Sequence, residues 1–466
     1  MHIARSRSLI EGPVASRLIL FSLPMIAGNM LQQVYSLVDT FIVGKYLGAG
    51  ALAAVGSSYT LMVFITSIII GLCMGSGAFM SADFGAGDRR RLEEDMYISF
   101  VFILGVTLVL YVLIYPGMDG ILRLLKTPEE IFAITGEYTR ITAGGLVFVF
   151  VYNYAAFALR AVGDSVTPLV TLAASSALNI ALDLYFIIEL GLGVRGAALA
   201  TVISQGFAGA GIMLWALVKL PELKSAFRER RVSRTRIRKI IAGDLATGVQ
   251  QSVMNFGILM IQGLVNSFGT VIMAAFAAAV KIDTLAYMPT QEFGNAYSLF
   301  ISQNEGAGKG DRVKAGTRSA AAIAAVFSLA VSAFVFVLDA PLMRIFVEAG
   351  ELEIIAEGVR YLRIEGAAYI GIGILFLWYG YFRGIGRPRV SVLLTVISLG
   401  TRVALAYALA PNTALGVTAI WLAIPIGWML ADMTGLYLYR RTESTWNGMA
   451  EGSREQKNNT GAEGVS

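Results

Sequence analysis

Long apolar runs separated by short polar segments extend along most of the chain. A helix needs about 20 apolar residues to cross the hydrocarbon core of a bilayer. Runs of that length predict twelve spans, at 16–43, 51–80, 95–116, 133–159, 166–190, 194–218, 240–267, 272–302, 317–339, 358–383, 389–409 and 413–438. The pattern is typical of an all-α integral membrane protein with twelve transmembrane helices.

The two halves of the chain repeat each other at a fixed offset. Asp88 matches Asp311 and Arg160 matches Arg383, and each pair is separated by 223 residues. A register that holds over a long distance and includes polar residues indicates an internal duplication. Each half contains an even number of predicted spans, so both halves begin on the same side of the membrane and form parallel repeats.

The repeat and the polar segments divide the chain into four parts. We predict an N-lobe with the first six helices at 1–220 and a basic cytoplasmic linker at 221–239. A C-lobe with the last six helices follows at 240–441. The remaining residues, 442–466, are rich in Glu, Asn, Gly and Ser, which predicts a disordered cytoplasmic tail.

Basic residues concentrate on one side of the predicted membrane. The segments 89–91, 219–239, 309–318 and 440–457 all fall on the same side and are rich in Arg and Lys. Such segments face the cytoplasm, which predicts a multi-pass protein of the plasma or inner membrane with both termini inside. The net charge of +5, with 15% charged and 56% hydrophobic residues, therefore indicates contact with anionic membrane lipid rather than with nucleic acid.

Residue types that support catalysis or metal binding are scarce. The chain has a single cysteine, Cys73, and a single histidine, His2, so an internal disulfide and a thiolate metal centre are excluded. The glycine-rich segment 308–310 lacks the Ser or Thr that follows the lysine in a phosphate-binding loop. We expect no catalytic residues, no cofactor and no ATP as the source of energy, and the protein is not expected to be an enzyme.

Charged side chains within the predicted spans are candidates for function, because each costs about 2.5–3.5 kcal/mol on insertion scales. The N-lobe has Asp39 and Asp183, and Asn179 shares a helix face with Asp183 four residues later. Carboxylate and amide oxygens are ligands that hard cations prefer. The sequence alone leaves open that Asp39 instead touches water at the outer end of its helix. The charged residues within the C-lobe spans are Lys281, Asp283, Glu292 and Arg402.

Four motifs resemble those of the multidrug and toxic compound extrusion (MATE) family, in order and over nearly the whole chain. They are QQVYSLVDT at 32–40, LRAVGD at 159–164, NIALD at 179–183 and GVRGAALAT at 193–201. The resemblance implies two six-helix bundles around a central cleft. It also implies a site for H⁺ or Na⁺ in the N-lobe, with Na⁺ the only metal ion expected. Its residues would be Asp39, Asn179, Asp183 and Thr201, with Gln32 and Pro24 in supporting or gating positions.

The C-lobe departs from one branch of this family, which keeps acids on the seventh and tenth helices. The chain has Gln250 and Gln251 on the seventh and apolar residues at 372–374 on the tenth. We expect that Arg402, the repeat partner of Asn179, occupies the space of the missing cation site. Its partner would be an acid of the eighth helix, Asp283 rather than Glu292. In the alternative interpretation, Lys281 and Asp283 pair locally near a helix end.

The resemblance implies a monomeric antiporter that exports amphipathic, often cationic organic compounds by alternating access, driven by H⁺ or Na⁺. Two alternatives remain at this point. A flippase for lipid-linked saccharides would need a cleft richer in cationic residues, and an integral-membrane enzyme would need a catalytic motif.

Overall fold

The computed structural model describes residues 8–125, 127–229 and 232–462, and no strand occurs within these ranges. Within this described part of the chain, short loops connect fourteen α-helices, and a π-helical turn, Tyr185–Glu189, extends the fifth. The helices are α1 (Val14–Ala86), α2 (Arg89–Leu124), α3 (Glu129–Gly144), α4 (Leu146–Ala161), α5 (Val166–Leu184), α6 (Gly193–Lys219), α7 (Pro221–Glu229), α8 (Arg234–Asn266), α9 (Thr270–Gly306), α10 (Gly310–Met343), α11 (Leu352–Gly366), α12 (Tyr369–Gly384), α13 (Pro388–Leu409) and α14 (Val417–Ala462). The all-α class is thus confirmed.

The first two predicted spans belong to one long element. α1 contains 73 residues, and its direction changes at Gly48, which has φ 83° and ψ −178°. A residue with a Cβ rarely adopts this conformation, whereas glycine adopts it at little cost. The first and second spans are therefore the two arms of α1 on either side of Gly48.

Two other spans are broken at corresponding places in the two halves. α3 and α4 meet at 43°, and α11 and α12 meet at 51°. The second pair begins at Leu352 and the first at Glu129, a separation of 223 residues. The duplication that the sequence predicts is therefore present in the backbone.

Most described helices are suited to a membrane by length and composition. Eight of them can cross a bilayer, and up to ten spans result if each bent pair counts as one. α1 is long enough for two spans, whereas the more polar α8 is not among the eight. The count of twelve spans stays a prediction.

Two large hydrophobic clusters form the cores of the lobes. One lies within the N-lobe, and the other lies within the C-lobe but includes Leu18, Phe21 and Met25 from the start of α1. The segment before α1 is also bound to the C-lobe, because Lys309 donates to the carbonyl of Ile10 at 2.9 Å. The first arm of α1 thus begins against one lobe and continues into the other.

The linker and the tail both contain helix, which was predicted as one of two possibilities for the linker and was not predicted for the tail. The linker region contains α7, and α8 already begins at Arg234 instead of at residue 240. The predicted disordered tail is helical as far as Ala462, and residues 463–466 lie outside the described part. Extending an existing helix avoids the cost of nucleation, so a polar sequence can continue the helix that a membrane span has started.

Candidate cation site

The four residues expected to bind a cation come together in the N-lobe. Asp39 lies on the first arm of α1, Asn179 and Asp183 lie on α5, and Thr201 lies on α6, and these three helices pack against one another. Asp183 is 0% exposed and Asn179 is 2% exposed. The apolar spacing of α5 places both polar side chains on its buried face, four residues apart.

Asn179 connects α5 with α6 through its side-chain amide. The amide is assigned the orientation in which both its nitrogen and its oxygen have a hydrogen-bond partner. Its Nδ2 then donates to Asp183 Oδ2 at 3.2 Å, and its Oδ1 accepts from the backbone N–H of Thr201 at 3.3 Å. The hydroxyl of Thr201 donates to the carbonyl of Ala197 at 3.0 Å. The site is therefore held by both helices.

The carboxyl groups of Asp39 and Asp183 lie within hydrogen-bonding reach of each other. Two ionised carboxylates repel at this separation, so the arrangement favours a shared proton or a bound cation. One oxygen of each carboxyl is enclosed and has no hydrogen-bond partner in the structure. A buried acceptor without a partner is costly, and H⁺ or Na⁺ fits this pair of oxygens chemically.

An apolar layer encloses the outer side of the pair. Ile42 and Val43 of α1 and Ala197 and Ala198 of α6 belong to one buried cluster with Tyr138 of α3. Asp39 itself is half-buried. Asp39 lies within the first arm of α1, before its end at Gly48, and its partly exposed carboxyl faces Asp183.

Two tyrosines at the site were not predicted. The hydroxyl of Tyr138 lies near the side chain of Thr201, and both Tyr138 and Tyr35 lie close enough to Asp39 for electrostatic interaction. Tyr35 precedes Asp39 by one helical turn, so the spacing contained a signal for it. Tyr138 also carried a signal, because the repeat pairs it with Tyr361 in the C-lobe.

The two supporting residues lie away from this cluster. Gln32 is exposed, two turns before Asp39. Pro24 is 15 residues before Asp39, or about 22 Å along the helix axis. In α1, which the structure describes in full, Gly48 is the only residue with non-helical φ and ψ. The helix therefore passes through Pro24 without a break.

The C-lobe contains a second buried charge cluster. Asp283 accepts from the hydroxyl of Tyr361 at 3.4 Å, and it lies within electrostatic range of Arg402 and Glu365. Asp283 and Arg402 are thus near enough to interact electrostatically, but the described residues show no salt bridge between them and the Arg402 Nε has no hydrogen-bond partner there, so their pairing stays a prediction. Glu365 was missed, because an acid was sought at 372–374, whereas Glu365 is fully buried one turn after Tyr361.

The other two charged C-lobe residues lie elsewhere. Lys281 is exposed, with its Nζ 5.7 Å from the centre of the Phe346 ring. Glu292 accepts from Asn29 of α1 at 2.9 Å and from Asn295 at 3.3 Å. Lys281 therefore does not pair locally with Asp283, and Glu292 belongs to the contact between α1 and α9.

Comparison with known proteins gives consistent matches over the whole length. The MatE family model matches the chain twice, at 24–185 and at 246–408. "Probable multidrug resistance protein YpnP" of Bacillus subtilis (strain 168) is 30% identical over 437 residues, which are 92% of this chain and 96% of that protein. "Probable multidrug resistance protein YoeA" of the same strain is 28% identical over 416 residues, 87% of this chain and 89% of that protein.

A solved structure has the same fold. It is described as the "outward-facing conformation of a multidrug resistance MATE family transporter of the MOP superfamily", with a TM-score of 0.88 and 25% identity. The match covers 94% of this chain and 98% of that one. The similarity thus includes both lobes and their arrangement relative to each other.

Proposed function

Since the chain belongs to the MATE family of multidrug transporters, we propose that it is a cation-coupled antiporter. It exports amphipathic, often cationic organic compounds and takes up H⁺ or Na⁺ in exchange. The observation that carries this proposal is the pair of adjacent carboxyl groups of Asp39 and Asp183, because a paired acid site in a membrane domain binds and releases a cation.

The position of α1 links this pair to the movement of the lobes. Asp39 lies on the same helical arm as Leu18, Phe21 and Met25, which pack into the core of the C-lobe. Cation binding at Asp39 therefore acts on an element that contacts both lobes. Alternating access by rocking of two repeats requires such a connection.

The driving force is sufficient for drug export. A gradient of one pH unit supplies about 1.4 kcal/mol per proton, which corresponds to a tenfold accumulation. A membrane potential of about 100 mV adds roughly 2.3 kcal/mol per charge. One coupling ion per cycle is thus enough for a useful concentration gradient.

An apolar cavity of about 800 Å³ supports the proposed substrate class. It lies between α1, α9 and α10, and its lining includes Leu23, Met30, Phe293 and Phe327. Cavities of this size accommodate drug-sized molecules. Glu292 precedes Phe293 in the chain but is not among the lining residues, and we propose it as the acid that a cationic substrate meets next to the cavity.

Uptake of a fluorescent organic cation into inverted membrane vesicles tests the proposal. We expect uptake under an imposed proton or sodium gradient in the wild type and its loss in Asp39→Asn. Asp119→Asn is the matched control, because it neutralises an exposed aspartate that pairs with Arg140 and not with Asp39 or Asp183. Normal gradient-driven uptake by Asp39→Asn would refute the coupling role of the pair.

A further inference from the structure

The two lobes are joined at the predicted cytoplasmic side by buried charges that lie outside the cation site. Arg236, at the start of α8, donates from Nε and Nη2 to the two carboxyl oxygens of Asp95 on α2, each at 2.6 Å. It also forms an ion pair with Asp83 near the end of α1. The Asp95 side chain is 0% exposed and that of Arg236 is 13% exposed. One guanidinium of the C-lobe therefore holds two carboxylates of the N-lobe.

The helices that carry these residues touch along their backbones, and we call this contact the seam (71–86 of α1 against α8 and α9). The hydroxyl of Ser76 donates to Asp244 of α8 at 2.6 Å. Gly75 has no room for a side chain, since a Cβ there would lie 2.8 Å from the Asp244 Cα. Gly85 and Gly306 likewise abut the backbone of the opposite lobe.

A buried ion pair adds little to the stability of a protein, but it suits a contact that must open. Desolvation of two charges offsets much of their attraction, and apolar replacements often stabilise a protein as well or better. On separation, however, water solvates both partners, and the desolvation cost is recovered. An apolar contact of the same area would instead be exposed to water. The chemistry of the seam thus fits two bodies that separate and rejoin.

We propose that Arg236 is a positioning residue of the transport cycle, which closes the cytoplasmic end of the cleft by bridging Asp83 and Asp95 and releases them whenever the cleft opens inward. The proposal rests on the alternating-access part of the proposed function. It does not depend on the identity of the substrate or of the coupling ion.

Thiol labelling measures the opening of the seam directly. Ser81 is 0% exposed and donates to the carbonyl of Leu299 across the seam at 2.9 Å. Ser81→Cys, in a Cys73→Ser background, places one thiol there. Inverted vesicles expose the cytoplasmic face. In them, a membrane-impermeant maleimide should label the thiol of Ser81→Cys at least tenfold faster in a protein that also carries Arg236→Gln than in one that keeps Arg236. Equal rates, or faster labelling only from the opposite face, would overturn the proposal.

A rescue and a control separate gating from folding. Arg236→Gln combined with Asp95→Asn should slow the labelling in part, because it removes one of the two carboxylates left without a counter-charge, whereas Asp83 stays unpaired. Arg363→Gln is the matched control: its Nε donates to the buried Asp339 at 2.7 Å within the C-lobe, and labelling should not change. Labelling of the double variant as fast as that of Arg236→Gln, or faster labelling of Arg363→Gln, would contradict the proposal.

A further variant covers the case in which Arg236→Gln does not fold. Arg236→Lys keeps the charge but not the bidentate hydrogen bonding. Its labelling rate should lie between the rate of the protein that keeps Arg236 and the rate of Arg236→Gln. Wild-type labelling by this variant would also count against the proposal. Labelling needs neither substrate nor an ion gradient, so its outcome is distinct from that of the transport assay with Asp39→Asn.

Discussion

Adding one methyl group at Gly75 should push the lobes apart at the seam. The Cβ of Gly75→Ala would lie 2.8 Å from the Asp244 Cα, whereas ordinary contact begins at 3.4 Å. The two helices must therefore separate locally by about 0.6 Å. Both atoms belong to or adjoin helix backbone, so no flexible side chain can move aside to relieve the overlap.

The size of the effect follows from known costs of overpacking, which are about 1–3 kcal/mol. This cost applies only while the lobes are in contact, since separation of α1 from α8 removes the overlap. The ratio of inward-open to inward-closed protein should therefore rise by about 5- to 150-fold. Rates of export should fall, because the protein spends less time in the conformation that releases substrate outside.

The labelling assay at Ser81→Cys measures this shift. Gly105→Ala is the matched control, because Gly105 lies within helix α2 and a Cβ there meets no atom within 4 Å. That control should leave labelling unchanged and raise stability by up to about 1 kcal/mol. If Gly75→Ala is labelled as slowly as the control while remaining folded, the close approach at the seam does not govern opening, and the reasoning fails.

Three further outcomes are expected. Tyr138→Phe removes a hydroxyl close to Asp39 and Thr201. It should raise the coupling-ion concentration needed for half-maximal uptake about fivefold, from a loss of roughly 1 kcal/mol. Arg402→Gln should destabilise the protein by about 3–5 kcal/mol, because buried acids lose their counter-charge. Lys281→Gln on the exposed surface should change stability by less than about 0.5 kcal/mol. Thermal unfolding in detergent compares the two variants. Glu292→Gln should weaken the binding of cationic substrates about tenfold and leave neutral ones unaffected, as measured by competition with a fluorescent substrate.

Much of the fold was predictable because membrane helices are recorded in the sequence as long apolar runs. The repeat was predictable because Asp88 and Arg160 keep their register. Gly48 was not recognised as the point where α1 turns back, since glycine is frequent in these helices and only the backbone shows which one has positive φ. The helical continuation into the tail was missed for a related reason, because polar composition does not report that a helix is already nucleated.

The N-lobe site was largely predictable, since intramembrane acids such as Asp183 are rare and conspicuous. Residues that act through contacts between distant helices were harder to find. Glu365 lies one turn after Tyr361 in a segment with other charges, so nothing in its spacing distinguishes it from a surface acid. Arg236 belongs to a basic stretch that topology alone explains. Its role depends on Asp83 and Asp95, more than a hundred residues away, which only tertiary packing brings to it.

The N-lobe cation site and the seam are connected by a single element. The first arm of α1 carries Asp39 to the paired acids of the N-lobe, and the second arm carries Ser76 and Asp83 to the seam. Gly48 joins the arms. A side chain there would meet no neighbouring atom, so the positive φ, rather than packing, restricts which residues fit at this position. If cation binding favours one arrangement of the first arm, thermodynamic linkage requires the arrangement of the seam to change cation affinity by the same factor. On this premise, opening of the seam at Arg236 and occupancy of the cation site are two aspects of one equilibrium.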